Sequence, residues 1–178
     1  MLIDCMNYGA AAQVAFDRRA DELVNAGLEA YQQYASTELS AELTDVRTYV
    51  DNDRSITAVT AMGFFVSFAD KTEINAKLTI AEGYTKEDIT AVKVLNEKGE
   101  EVAVLTGFTE LEDGRIQVTF TGVKSVNMRD MYYFVAYVGD QVASQNVGYS
   151  IEAYAKSNIA SADANAANLA KACIYYGD

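Results

Sequence analysis

The chain has 178 residues, half of them hydrophobic, enough to bury a sizeable core within one domain. Its 14 Lys and Arg against 26 Asp and Glu leave a net charge of −12, a surface that repels nucleic-acid phosphates and anionic lipid. With no His and only two cysteines, Cys5 and Cys173, it lacks the commonest general base, the Ser-His and Cys-His nucleophile pairs, and the ligands of ordinary zinc and copper sites.

Residues 1–28 read as helix. Leu2, Cys5, Met6, Gly9, Ala12 and Phe16 recur at three- and four-residue steps and so share one stripe, and Gly27 supplies a stop. The opening MLIDCMNYGAAAQ has no basic stretch of the kind that starts a signal peptide, so an extracellular chain with this start is expected to be cut from something longer. No run of about 18 apolar residues is present to span a membrane. Residues 29–44 are ambiguous between a helical turn carrying Tyr31 and Tyr34 and a surface connection.

From 45 to 149 the pattern is strand after strand. Ile74, Ala76, Leu78 and Ile80 alternate with Glu73, Asn75, Lys77 and Thr79, and Ile116, Val118 and Phe120 alternate with Gln117 and Thr119. Asp113-Gly114 between Val104–Leu111 and 115–121 is a hairpin signal; Asn96 to Gly99 and Gly139-Asp140 are further turns. Short strands at this spacing predict an antiparallel Ig-like β-sandwich within an α+β chain. Phe64 to Phe68 and Met131 to Val138 are apolar on both faces, which requires cover on both sides. The apolar material left to cover the second face is in the terminal helices, so these are expected to pack on the sheet that carries Met131 to Val138. Residues 150–178 return to helix, with Ser150 as a first cap, Ser161 and Asp163 opening a second helix, and Gly177 ending it. The chain thus divides into an N-terminal helical segment (1–44), a sandwich (45–149) and C-terminal helices (150–178), expected to fold as one cooperative unit.

The two ends match. MLIDCMNYG (1–9) aligns with LAKACIYYG (169–177) at an offset of 168, placing Cys5 on Cys173, Tyr8 on Tyr176 and Gly9 on Gly177. This marks Tyr8, Gly9, Tyr176 and Gly177 as a structural junction, one copy at each end of a repeating unit. The tyrosines and cysteines are then expected in similar small-plus-aromatic pockets, the tyrosine rings buried.

The segments Tyr8 to Gln13, Leu23 to Leu28, Met128 to Tyr137, Tyr149 to Tyr154 and Leu169 to Asp178 resemble a recurring helix-plus-sandwich module of large secreted or wall-attached proteins of Gram-positive gut anaerobes. The resemblance covers under half of the chain and is weakest in the sandwich. It implies an extracellular location and repetition, with neighbouring modules of the same parent chain as partners, and it carries over no catalytic residue.

Other constellations read as structural. Glu110, Glu112 and Asp113, and Glu97, Glu100 and Glu101, flank turns, where carboxylates are ordinarily solvated rather than paired for glycoside hydrolysis. Asp51-Asn52-Asp53 begins like a calcium loop, but the sixth and twelfth positions hold Ile56 and Met62 instead of Gly and Glu; a looser surface site stays open. Tyr132, Tyr133 and Tyr137 read as core, leaving Tyr31, Tyr34, Tyr49 and Tyr84 as exposed aromatics for a glycan. Cys5 and Cys173 read as small apolar residues, with a pairing between them left open. Lys93, between Val92 and Val94, is the one lysine whose strand setting raises an isopeptide crosslink. No catalytic residue, metal ligand or cofactor emerges. The sequence points to a non-catalytic structural or adhesive module of a bacterial cell surface, with a carbohydrate- or peptide-binding module as the alternative, without nucleic-acid partners or membrane insertion.

Overall fold

A computed structural model describes residues 2–26, 48–50, 52–68, 71–124 and 127–176. The protein is α+β, with two antiparallel sheets and, among the described residues, three α-helices. The contacts separate a helical unit, containing the described parts of 1–46, 125–129 and 151–178, from a strand unit of 47–124 and 130–150. The helical unit is therefore assembled from both ends of the chain.

The strand unit holds β1 (Thr48–Val50), β2 (Val59–Phe68), β3 (Thr72–Ile80), β4 (Ala91–Leu95), β5 (Glu101–Leu105), β6 (Thr109–Glu110), β7 (Ile116–Phe120), β8 (Tyr132–Val138), β9 (Gln141–Val142) and β10 (Asn146–Tyr149). One sheet runs β1-β10-β8-β4-β5, with β9 on β8; the other runs β2-β3-β7-β6. Asn96 and Asp113 form the tight turns as expected. The Asn96 side chain accepts from the N–H groups of Lys98 and Glu100, joining β4 to β5, and Gly99 takes φ 78°. Asp113 accepts from the N–H of Arg115, and Gly114 takes φ 77° between β6 and β7, a backbone state that glycine adopts without penalty. A third hairpin, with Gly139 at φ 56°, joins β8 to β9.

Alternation decides the core. Ile74, Ala76 and Leu78 of β3 and Ile116, Val118 and Phe120 of β7 are buried and pair in register, Ile74 with Phe120 and Leu78 with Ile116. Rings from the two sheets meet there. Phe64 lies 5.1 Å from Phe134 and stacks on Tyr149 at 4.9 Å, and Phe120 lies 4.9 Å from Tyr132 and edge-on to Phe134 at 6.2 Å. Pairs of this kind add about 0.5–1.5 kcal/mol each beyond the area they bury.

Two strand expectations need correction. Val104–Leu111 is not one strand. Leu105 ends β5 in the first sheet and Thr109 begins β6 in the second, so the chain changes sheets between them. Phe64 to Phe68 is covered unequally on its two sides, with none of the five residues exposed. Met62 and Val66 face the core, while Phe65 points the other way, half-buried, with the Lys77 ammonium 4.8 Å from its ring centre. On β8, Tyr132, Phe134 and Ala136 are buried on the core side; on the other side Val135 is buried between half-buried Tyr133 and Tyr137.

The helical unit holds α1 (Leu2–Ala15), α2 (Ile151–Asn158) and α3 (Ala164–Tyr176). Asp163 caps α3, its carboxylate accepting from the N–H groups of Asn165 and Ala166. Residues 1–28 are not one helix. α1 ends at Ala15, and Asp17 and Arg19 take left-handed φ values of 49° and 52°. Gln13 holds the resulting loop, donating to the carbonyls of Arg19 and Glu22 and accepting from the Val24 N–H at 2.9 Å. The ambiguous stretch 29–44, with Tyr31 and Tyr34, lies outside the described residues, as do Gly27 and Gly177.

Candidate functional site

The junction residues come together in the helical unit. α1 packs on α3, and the rings of Tyr8 and Tyr176 stack face to face at 5.5 Å with 9° between their planes. Both rings are half-buried, not buried in separate pockets as the matched ends suggested. A hydrogen bond with Cys5 holds the Tyr176 hydroxyl above the ordinary tyrosine range, with burial acting in the same direction. Gly9 is closely overlaid, since a Cβ there would lie 3.0 Å from a Val24 methyl. Beside it the side chain of buried Asn25 donates to that of buried Asn7.

The cysteines part company. Both thiols are free, but Cys5 is exposed whereas Cys173 is 1% exposed and its thiol is pushed up to about 12 by burial. The expectation of similar surroundings fails for them because each copy turns a different face inward. α1 buries Asn7, Ala10 and Ala11; α3 buries Ala167 to Ala170, Ala172 and Cys173. Of the stripe expected to close, Leu2 is 75% exposed, Cys5 bonds to Tyr176 and Gly9 lies under Val24.

A second arrangement lies on the outer face of the β2-β3-β7-β6 sheet. Alternation puts Asn75 on the polar side of β3, yet it is 3% exposed. Its amide donates to Ser67 at 3.0 Å, and its carbonyl accepts from Gln117 at 3.1 Å and from Thr119 at 2.7 Å. Ser67 in turn donates to Glu73 at 2.8 Å, so one ladder ties β2, β3 and β7. Beside it are Lys77 over Phe65, and Gly63, whose absent Cβ would meet nothing within 4 Å. Gly63 pairs with Lys77 across β2 and β3, so the strip next to the Phe65 ring is bare. Sequence reading missed this ladder, although Glu73, Asn75, Gln117 and Thr119 were already visible as polar positions of alternating strands; Ser67 stood in a segment read as apolar on both faces.

The remaining sequence-marked groups are dispersed. Asp113 pairs with Arg115, which holds its carboxyl below the usual range; Glu101 pairs with Lys93 at 3.0 Å, Glu110 with Lys86 at 3.8 Å, and Glu100 accepts from Asn96. Lys93 is partly exposed, with its ammonium against Glu101 and over the Tyr137 ring, a setting unlike the buried Lys–Asn pair of an isopeptide. Asp51 lies outside the described residues and Asp53 is exposed, while Asn52 donates to the Ser144 carbonyl at 3.1 Å. Among the described residues no group of three His, Cys, Asp or Glu gathers around a point where a metal could sit. Of the tyrosines marked as exposed, Tyr84 is half-buried. No helix among the described residues is long and apolar enough to cross a membrane.

No protein-family model, curated protein or solved structure matches this chain.

Proposed function

We propose that the chain is a non-catalytic structural or adhesive repeat module of an extracellular bacterial surface protein, secreted or wall-attached, whose partners are neighbouring modules and a surface glycan or protein. Its strand unit is read as an Ig-like sandwich, supported by the antiparallel sheets and by the rings of Phe64, Phe120 and Phe134 that meet between them. The observation that carries the repeat is the junction. Tyr8 and Tyr176, equivalent under the 168-residue offset, lie ring on ring in a unit built from both ends of the chain. A two-copy chain in which residue 177 of the first copy runs directly into residue 10 of the second tests it. The shared nine residues should form one helix protected from hydrogen exchange, and both copies should melt together above the single-copy temperature. Two independent transitions at the single-copy temperature would remove the repeat reading.

A second reading, a carbohydrate- or peptide-binding module, is favoured by the outer sheet face. There the Lys77 ammonium, Phe65 and the Asn75 ladder border the bare strip at Gly63. Sugar hydroxyls or an extended backbone would use such a strip, with donors and acceptors fixed in advance. Gly63→Val separates binding from folding. The new methyls enter open space on a strand, so stability should hold while retention on acidic or neutral polysaccharide in affinity electrophoresis is lost. Equal retention by the parent and Gly63→Val, or none by the parent, excludes this face.

A further inference from the structure

Two loops at one end of the strand unit enclose a hollow of about 190 Å³. The turn between β4 and β5 brings Asn96, Glu97 and Lys98 to it, and the approach to β8 brings Asp130, Met131 and Tyr132. Leu95 pairs with Tyr133 across β4 and β8, so both loops start from one rung of the sheet. The walls are fixed in advance. Asn96 accepts from the N–H groups of Lys98 and Glu100, and Glu97 accepts from the Met131 N–H at 3.3 Å, which ties the turn to the second loop. Sites for drug-sized ligands run to about 300–1,000 Å³, so a hollow of this size takes one ring or one side chain.

Tyr132 points to an occupant. It is 8% exposed and its ring packs on Phe120, yet among the described residues its hydroxyl meets no hydrogen-bond partner. Buried tyrosine hydroxyls ordinarily find one. Burial holds this phenol above the ordinary tyrosine range and the Asp130 carboxylate adds to the effect, which sets the hydroxyl near an acid that lines the same hollow.

The remaining groups select the chemistry. Lys98 is exposed and carries no ion pair among the described residues, while Glu97 and Asp130 supply two acids. An anion would face both carboxylates, and a cation would face the ammonium. A purely apolar group would strip water from three charges and leave the phenol unpaired. A neutral ring bearing several hydroxyls meets each demand: the carboxylates accept from its O–H groups, and the ammonium and the phenol donate to its oxygens.

We propose that this hollow is a binding site for one neutral sugar residue, with Glu97 and Asp130 as acceptors and Lys98 and the Tyr132 hydroxyl as donors. It belongs to the carbohydrate reading of the module but rests on a different sheet from the Gly63 strip, so either site can fail while the other stands.

The test titrates the intact chain with glucose, galactose, mannose and N-acetylglucosamine, one at a time, and follows amide shifts by NMR. Saturable shifts confined to 96–98 and 130–132 are expected with at least one of the four. Tyr132→Phe keeps the ring on Phe120 and deletes only the unpaired hydroxyl, so the melting temperature should hold or rise. Binding should weaken about tenfold, the worth of one hydrogen bond. Shifts that never saturate, or a saturable response equal in the parent and Tyr132→Phe, would overturn the site. A lower melting temperature for Tyr132→Phe would overturn it too, because the hydroxyl would then have a partner within the fold. A saturable response to lysine amide and to none of the sugars would assign the hollow to a basic side chain and end the sugar claim.

Discussion

At the scale of single residues, Cys173 decides the alkaline behaviour. Its thiol is held at about 12 by burial against an ordinary 9.0. The folded-state value is the higher one, so the folded chain keeps a proton that the unfolded chain gives up. The associated stability is complete below about pH 9 and drains away as the pH rises towards 12. Tyr132 and Tyr154, also raised chiefly by burial, act in the same sense at higher pH. A pH series of melting temperatures should therefore fall steeply between pH 9 and 12. Cys173→Ala should flatten part of that fall, at a modest cost at neutral pH from the sulfur's lost packing. Profiles that superimpose would show that the thiol does not titrate with unfolding. Cys5 serves as the internal contrast, since it has the same residue type and the same register in its copy, yet is exposed beside the Tyr176 hydroxyl.

At the scale of elements, the ladder on Asn75 makes a sharper prediction than any apolar strand position. Asn75→Ala leaves Gln117 and Thr119 without their shared acceptor and Ser67 without its donor, at a position almost closed to water. The cost should be about 1–3 kcal/mol, read as a lower urea midpoint with unchanged slope. Thr79→Ala, exposed on the same strand, should cost far less. The period-two pattern of β3 and β7 and the glycine turns were legible in the sequence because they are local properties of the chain. What hid the ladder is that alternation tells which side a residue faces, and not what its neighbours on adjoining strands lay over it. The same limit applies to α1. The stripe of Leu2, Cys5, Gly9 and Phe16 was visible, but the face that closes is the narrower one of Asn7, Ala10 and Ala11. Which face closes is a matter of partner rather than of hydrophobicity, Asn7 being held there by Asn25. The end of α1 at Ala15 was illegible for a similar reason, since Gln13 there donates two hydrogen bonds to, and accepts one from, a loop up to eleven residues away. Of the candidate junction, the matched Cys and Tyr could be read from the letters, whereas the ring-on-ring contact needed the fold.

At the scale of the whole molecule, the helical unit depends on both ends of the chain. α1 enters from the N-terminus, α2 and α3 from the C-terminus, and the strand unit lies between them in sequence. An isolated helix of 14 residues is marginal in water, and α1 carries glycine at position 9. Its persistence comes from tertiary contacts, among them its packing on α3, where the Tyr8–Tyr176 stack lies. Deleting 160–178 removes that partner in one step. The amides of α1 should then lose their protection from hydrogen exchange, and helical circular dichroism should fall by more than the deleted residues account for. The strand unit has its own core around Phe134, Ile74 and Leu78, all fully buried, and its β3 and β7 amides should stay protected. Adding salt to screen the strong net negative charge should steady the truncated chain without restoring α1, because self-repulsion is relieved but no contact is replaced. An α1 that remains protected after the deletion would mean that something other than α3 holds it, and would remove the basis for reading the two ends as one element.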